Sequence, residues 1–259
     1  MFDLYITRGQ FDAISPHSKV VGRPLARLGP PPRVPDAASA EIPAGTRALL
    51  ERLGPRGFAQ WMLDQRQVRL TDTTFRVAHQ SLLATRMRTF DMVKIANVYA
   101  RDLSGLLSVE CWGGATFDVS MRFLNECPWE RLRALREGIP NILLQALVRG
   151  TNGIAYPVYP NNVVHGFVQR AATSGVDLFR VFDSLNWVEN MRPTIDAIVE
   201  QEKLCEAVVC YTGDIFDKTR STYNLDYYVR MAHELKAAGT HVLGIKDMVG
   251  LLKPKQTRI

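Results

Sequence analysis

Between Thr71 and Gln80 the chain sets a carboxylate (Asp72), threonine hydroxyls, a guanidinium (Arg76), an imidazole (His79) and an amide (Gln80) beside a short apolar run. So much polarity does not suit the interior of a buried strand; it suits the point where a strand stops and meets a ligand. The pattern recurs where later apolar runs end, at Trp112-Gly-Gly-Ala-Thr-Phe-Asp118, Arg149-Gly-Thr-Asn152, Asp183-Ser184, Tyr211-Thr-Gly-Asp214 and Lys246-Asp247. Arg76 and Arg149 carry forked donors suited to a carboxylate or an enolate oxygen, hence to an anion the size of a keto acid. Lys246 has three chemical uses: an ion pair with Asp72 or another rim acid, a Schiff base, or a carbamate that ligates a divalent metal. Composition alone favours the ion pair.

The elements that must gather these ends repeat along the chain. Val68–Leu70, Leu107–Cys111, Ile142–Leu147, Asp177–Phe182, Ala207–Cys210 and His241–Ile245 are β-rich apolar runs, each followed by a polar break and, for most, a helical pattern. Their starts lie about 29–40 residues apart, the length of a strand–helix unit whose crossover returns parallel to the sheet. Helices are predicted over Pro128–Gly138, with proline near the start and glycine at the end, over Val188–Glu202 with Met191, Ile195, Ile198 and Val199 on one face, and over Leu225–Ala238. The expected fold is an α/β barrel of the TIM type, incomplete, with about six of eight β/α units, spanning 45–259; its polar strand ends converge on the C-terminal face. Two short helices, Thr46–Leu53 and Gly57–Gln65, precede it, and Phe58, Trp61 and Met62 are expected to pack as a lid. Residues 1–44 hold seven of the chain's 14 prolines and are predicted to be a linker or arm.

Composition narrows the partners. The formal charge of +6 is thinly spread, with nine Lys and Arg against six Asp and Glu over residues 1–66, and no dense basic run interleaved with aromatics argues for nucleic acid. Small anions are the more natural partners. No apolar run is long enough to span a bilayer and no secretion signal opens the chain, so a cytoplasmic protein is expected. Cys111, Cys127, Cys205 and Cys210 lack C-x-x-C spacing and are expected as reduced thiols.

Asp72-Thr-Thr-Phe-Arg76 with Ala78-His-Gln-Ser-Leu-Leu-Ala-Thr-Arg86, Glu110-Cys-Trp-Gly-Gly-Ala-Thr-Phe-Asp118, Glu126-Cys-Pro-Trp-Glu-Arg-Leu132 and Ile245-Lys-Asp-Met-Val-Gly-Leu-Leu-Lys-Pro254 together resemble the carboxyltransferase domain of pyruvate carboxylase. Related biotin-dependent decarboxylases share much of this pattern, but Phe182-Asp-Ser-Leu-Asn-Trp-Val-Glu-Asn-Met191 and Tyr211-Thr-Gly-Asp214 match the pyruvate carboxylase form. The resemblance implies transfer of a carboxyl group from carboxybiotin, borne on a separate carrier domain, to pyruvate, giving oxaloacetate. It implies that Arg76, Gln80 and Arg149 hold pyruvate and its enolate, that Asp118 and Tyr156 line the pocket, and that Lys246 is a carbamylated ligand of a divalent metal such as zinc or manganese.

The resemblance also exposes departures. Val77 stands where the family has a metal-binding aspartate, and an isopropyl group cannot ligate. His79, His165, His233 and His241 do not form the family's His-x-His pair, and Pro157, Val158 and Asn161 replace its residues after Tyr156. No biotin carboxylase or biotin-carrier segment is visible. The expectation is a chain inactive alone, the alternatives being a non-catalytic anion-binding or assembly module and one part of a composite enzyme. Its sheet edges, with an apolar inner layer behind them, are expected to favour homo-oligomers.

Overall fold

The structure is a computed structural model that describes residues 41–79, 87–217, 219 and 221–254. The linker predicted over 1–44 therefore lies almost wholly outside the described residues, as does Gln80. Helix α1 (Thr46–Leu63) leads into strand β1 (Thr71–Asp72), a π-turn (Thr74–Ala78) and α2 (Thr89–Asp102). There follow β2 (Ser108–Trp112), α3 (Gly114–Arg122), α4 (Pro128–Gly138), β3 (Leu143–Val148), α5 (Asn161–Thr173), β4 (Leu178–Phe182), α6 (Val188–Glu200), β5 (Leu204–Tyr211), α7 (Leu225–Ala237) and β6 (Val242–Asp247). All six strands are parallel and lie side by side in chain order, so each helix returns the chain to the next position in the sheet. The result is a curled, incomplete TIM-type barrel in which β1 pairs only with β2 and β6 only with β5. Among the described residues no helix is long and apolar enough to cross a membrane.

Side-chain alternation sorts the strand residues onto two faces. Val109, Leu144, Ala146, Phe179, Val181, Cys205 and Ala207 face outward into the main core, against Met92, Leu132, Leu135, Val168, Met191 and Ile195 of the helices. Helix α6 fits its predicted stripe except at Val199, which is 37% exposed beyond the edge of the buried face.

The inward face is layered. At the strand starts Leu143, Leu178 and Leu204 pack on Leu50, Phe58 and Trp61 of α1. The predicted lid is thus a floor, at the end of the barrel opposite the polar strand ends. The two short helices expected there form one element bent at Gly54 (φ 67°) before Pro55. Thr46 locks α1 in place: its hydroxyl donates to Leu107 O at 2.9 Å and accepts from Leu143 N at 3.2 Å.

Above this floor the inner layer is polar, not apolar as expected. Glu110 and Gln145 are buried beside Arg180 and Glu206, and Arg180 Nε donates to Glu206 at 2.9 Å. The Gln145 amide lies 2.8 Å from Ser108 Oγ and 3.3 Å from the Arg180 guanidinium. Leu147, Phe182, Val208 and Cys210 form an apolar layer over these groups. One further correction concerns β1, which begins after the predicted Val68–Leu70. Leu70 contributes only a carbonyl, accepting from Leu107 N at 2.8 Å, and Val68 and Leu70 are exposed because the ladder has not yet begun.

Candidate functional site

Three strand ends build one cavity. After β3 the chain turns sharply through Gly150, whose φ of 45° favours glycine and where a Cβ would lie 2.6 Å from Asn190 O. This brings Arg149 to the rim with its guanidinium 5.0 Å from the centre of the Tyr156 ring, a cation–π contact. The turn is tied to α6: Thr151 bonds to Asn190, whose amide donates to Asn152 at 3.1 Å and to Asp183 at 2.8 Å. Asp183, just after β4, also accepts from Leu185 N at 2.8 Å and Trp187 N at 3.0 Å, which fixes that loop. From β6, Lys246 reaches in with its Nζ 4.1 Å from the centre of the Phe182 ring.

Arg149, Tyr156, Phe182, Asp183 and Lys246 line a cavity of about 360 Å³. A deeper recess of about 190 Å³ shares Lys246 and is walled by Arg76, Glu110, Arg180 and Glu206. Arg76 leaves the π-turn toward this recess with Nη1 3.7 Å from Glu110. Its Nε is buried without a hydrogen-bond partner, under Gly113, where a Cβ would stand 3.2 Å away. A larger recess, about 520 Å³, lies at the floor beside the bend in α1. We place the site at the mouth instead, because Asp177 and Lys203 at the floor are already paired with one another and with Arg47 and Arg136.

The residues singled out by sequence divide accordingly. Arg149, Tyr156 and Lys246 meet in one cavity, and Arg76 stands in the adjoining recess. Asp118 sits on α3, half-exposed and paired with Arg122 at 3.2 Å, and lines neither. Val77 is half-buried in the π-turn. The ion pair that composition favours for Lys246 does not form. Asp72 instead accepts from Thr74 Oγ1 at 3.0 Å and Tyr99 OH at 3.1 Å, and Lys246 has no carboxylate partner among the described residues. Phe182, Asp183, Glu110 and Arg180 were not assigned roles by sequence. Their one signal was a charged or amide residue at every second place in otherwise apolar strands, as in Glu110, Gln145, Arg180 and Glu206.

The electrostatics are cationic. Burial lowers the Lys246 ammonium below its ordinary value, and Arg76 and Arg149 push the same way against Cys210 and Glu110. Burial likewise lowers Arg76. These surroundings suit an anion. They do not fit the divalent metal that the sequence resemblance implies: Val77 offers no donor atom, two guanidinium groups flank Lys246, and no group of three His, Cys, Asp or Glu among the described residues could hold an ion.

No protein-family model matches the chain. Individual proteins do. Pyruvate carboxylase of Bacillus subtilis is 56% identical over 211 residues, 82% of this chain and 18% of that protein, and the mitochondrial human pyruvate carboxylase is 52% identical over 240 residues, 93% of this chain and 19% of that protein. The carboxyl transferase domain of Rhizobium etli pyruvate carboxylase solved with pyruvate and biocytin is 57% identical, with a TM-score of 0.85 over 90% of this chain and 39% of that one. The same domain solved with 3-bromopyruvate is 59% identical, also at 0.85, over 88% and 38%. The chain spans about a fifth of the length of the curated relatives it matches. Sequence and fold agree that the chain belongs to the pyruvate carboxylase family and corresponds to part of its carboxyltransferase domain.

Proposed function

We propose that the chain, acting in the cytoplasm, binds a small keto acid at the mouth of its half-barrel, in the place that pyruvate occupies in a carboxyltransferase reaction. The supporting observation is the convergence of Arg149, Tyr156 and Lys246 on one cavity, with Arg76 in the recess behind it. Arg149 would clamp the carboxylate through its fork, and Tyr156, stacked on the guanidinium, would hold that fork in place. Arg76 and Lys246 would set positive charge where an enolate oxygen develops, the largest contribution a preorganised site makes to such chemistry. Biotin, bound to a carrier, would supply the carboxyl group that turns pyruvate into oxaloacetate. Gln80 and Asp118 belong to this reading only as contributors from the rim. Acting alone, the chain would bind the keto acid without turning it over.

Calorimetry with oxalate, which the related Rhizobium etli domain has been solved with, tests the proposal. Arg149→Met removes a charge-assisted hydrogen bond worth about 1.5–3 kcal/mol, so affinity should fall roughly 10- to 100-fold. Unchanged affinity in the variant, or no oxalate binding by the parent chain, would refute it. A second reading, in which the chain works joined to another polypeptide or to its own copy, draws support from β6: its outward Leu243 and Ile245 are 44% and 69% exposed, while Phe179 and Val181 at the same face of β4 are fully buried.

A further inference from the structure

We infer that Lys246 forms an imine with the keto acid held in the mouth cavity, an activity that rests on the keto-acid reading above. Four observations converge on it. The Lys246 side chain ends at the cavity wall, over the Phe182 ring, with no carboxylate partner among the described residues to tether it. The same cavity holds Arg149, which has no carboxylate partner among the described residues either and can anchor the acid group two bonds from the reacting carbonyl. At about 360 Å³ the cavity falls at the small end of ligand pockets, a size that suits a three-carbon acid. The neighbours of Lys246 do not fit a metal ion, so nothing in the described site competes for its nitrogen.

The step balances without an oxidant. The ammonium gives a proton to solvent, and the amine nitrogen attacks the carbonyl carbon to form a C–N bond. The carbonyl oxygen takes up protons and leaves as water, and a C=N bond closes. Holding the carboxylate on Arg149 makes this attack intramolecular and protects it from the entropic cost of a bimolecular encounter. The resulting iminium withdraws electrons from the adjacent carbon, so the substrate class is a 2-keto acid able to lose a proton at its methyl or methylene carbon.

The test uses the full chain with pyruvate, sodium borohydride as hydride donor, and peptide mapping by mass spectrometry. Reduction should fix a lactate-like secondary amine on Lys246, enriched on the order of tenfold over the exposed Lys94 and Lys236, as expected for a nitrogen held beside its electrophile. Oxalate should suppress the adduct, and Lys246→Arg, with its helical content verified by circular dichroism, should lack it. Mapping on the unaltered chain keeps the result independent of any variant's folding. Oxalate binding with no Lys246 adduct, or with label spread evenly over Lys94 and Lys236, would overturn the imine and leave the binding reading intact. Loss of both oxalate binding and adduct would overturn both, whereas an adduct without measurable oxalate binding would sustain the imine and count against Arg149 as the anchor.

Discussion

Replacing Asp177 with alanine should destabilise the barrel strongly and leave its mouth untouched. The carboxylate is 5% exposed, pairs with Arg136, and lies 3.7 Å from Arg47 and 3.9 Å from Lys203. It also accepts from Leu144 N at 3.1 Å, which ties the start of β4 to β3. Arg136 keeps bonds to the carbonyls of Gly175, Ile139 and Ile142 at 2.9–3.2 Å, so its N–H groups stay satisfied while its charge does not. Removing one partner of a buried pair costs about 3–5 kcal/mol, mostly because the other charge is left uncompensated. With a urea dependence of roughly 2–3 kcal/mol per molar, the unfolding midpoint should fall by about 1–2.5 M. The double variant Asp177→Ala/Arg136→Met should be less destabilised than the sum of the two single variants, since the stranded charge is gone. Oxalate affinity in the absence of urea should not change, because Asp177 lies at the floor. A loss below about 1 kcal/mol, or simple additivity in the double variant, would refute the reasoning that this hub holds the strand starts together.

Phe58→Ala should cost about 3–5 kcal/mol by urea unfolding, since the ring is wholly buried between α1 and the strand starts. Burial, reinforced by Arg56, lowers the His241 imidazole below its ordinary 6.5, so the unfolded chain binds more protons as pH falls from 6.5 through the folded value. Stability should therefore be full above pH 6.5 and decline across that window, and His241→Gln should remove that part of the pH dependence. Ile245→Lys on the exposed face of β6 should reduce self-association measured by light scattering at micromolar concentration without lowering the urea midpoint; unchanged association would show that this face is not the contact.

Much of this fold is written locally. Pro128 at the start and Gly138 at the end bracket α4 as predicted, and five of the six apolar runs overlap their strands, because buried parallel strands read as continuous hydrophobic text. The strand ends likewise announced Arg149 and Lys246, since a charged residue closing an apolar run has few places to go. What was not legible depends on contacts distant in sequence. Nothing near Phe58 says whether it covers the mouth or the floor; that is decided by Leu143, Leu178 and Leu204, which lie 85 or more positions away. The partner of Lys246 was misjudged for the same reason, because Tyr99 on α2 claims Asp72 first. Asp118 reads as a rim residue from its motif, yet a helical turn sets it beside Arg122.

The polar layer inside the barrel carries a consequence for how the sheet finds its alignment. Glu110, Gln145, Arg180 and Glu206 occupy inward positions whose neighbours along each strand face an apolar shell. Sliding any of these strands by one residue would drive a charge or an amide into that shell and turn a valine or phenylalanine toward Arg180. A parallel sheet built of uninterrupted aliphatic runs has no such penalty, and its strands could pair in several offsets at similar free energy. Buried ions add little net stability when compared with a well-packed apolar layer. Here their effect is on uniqueness: they make one alignment of β2 to β5 acceptable and its neighbours costly, so the half-barrel assembles in a single phase.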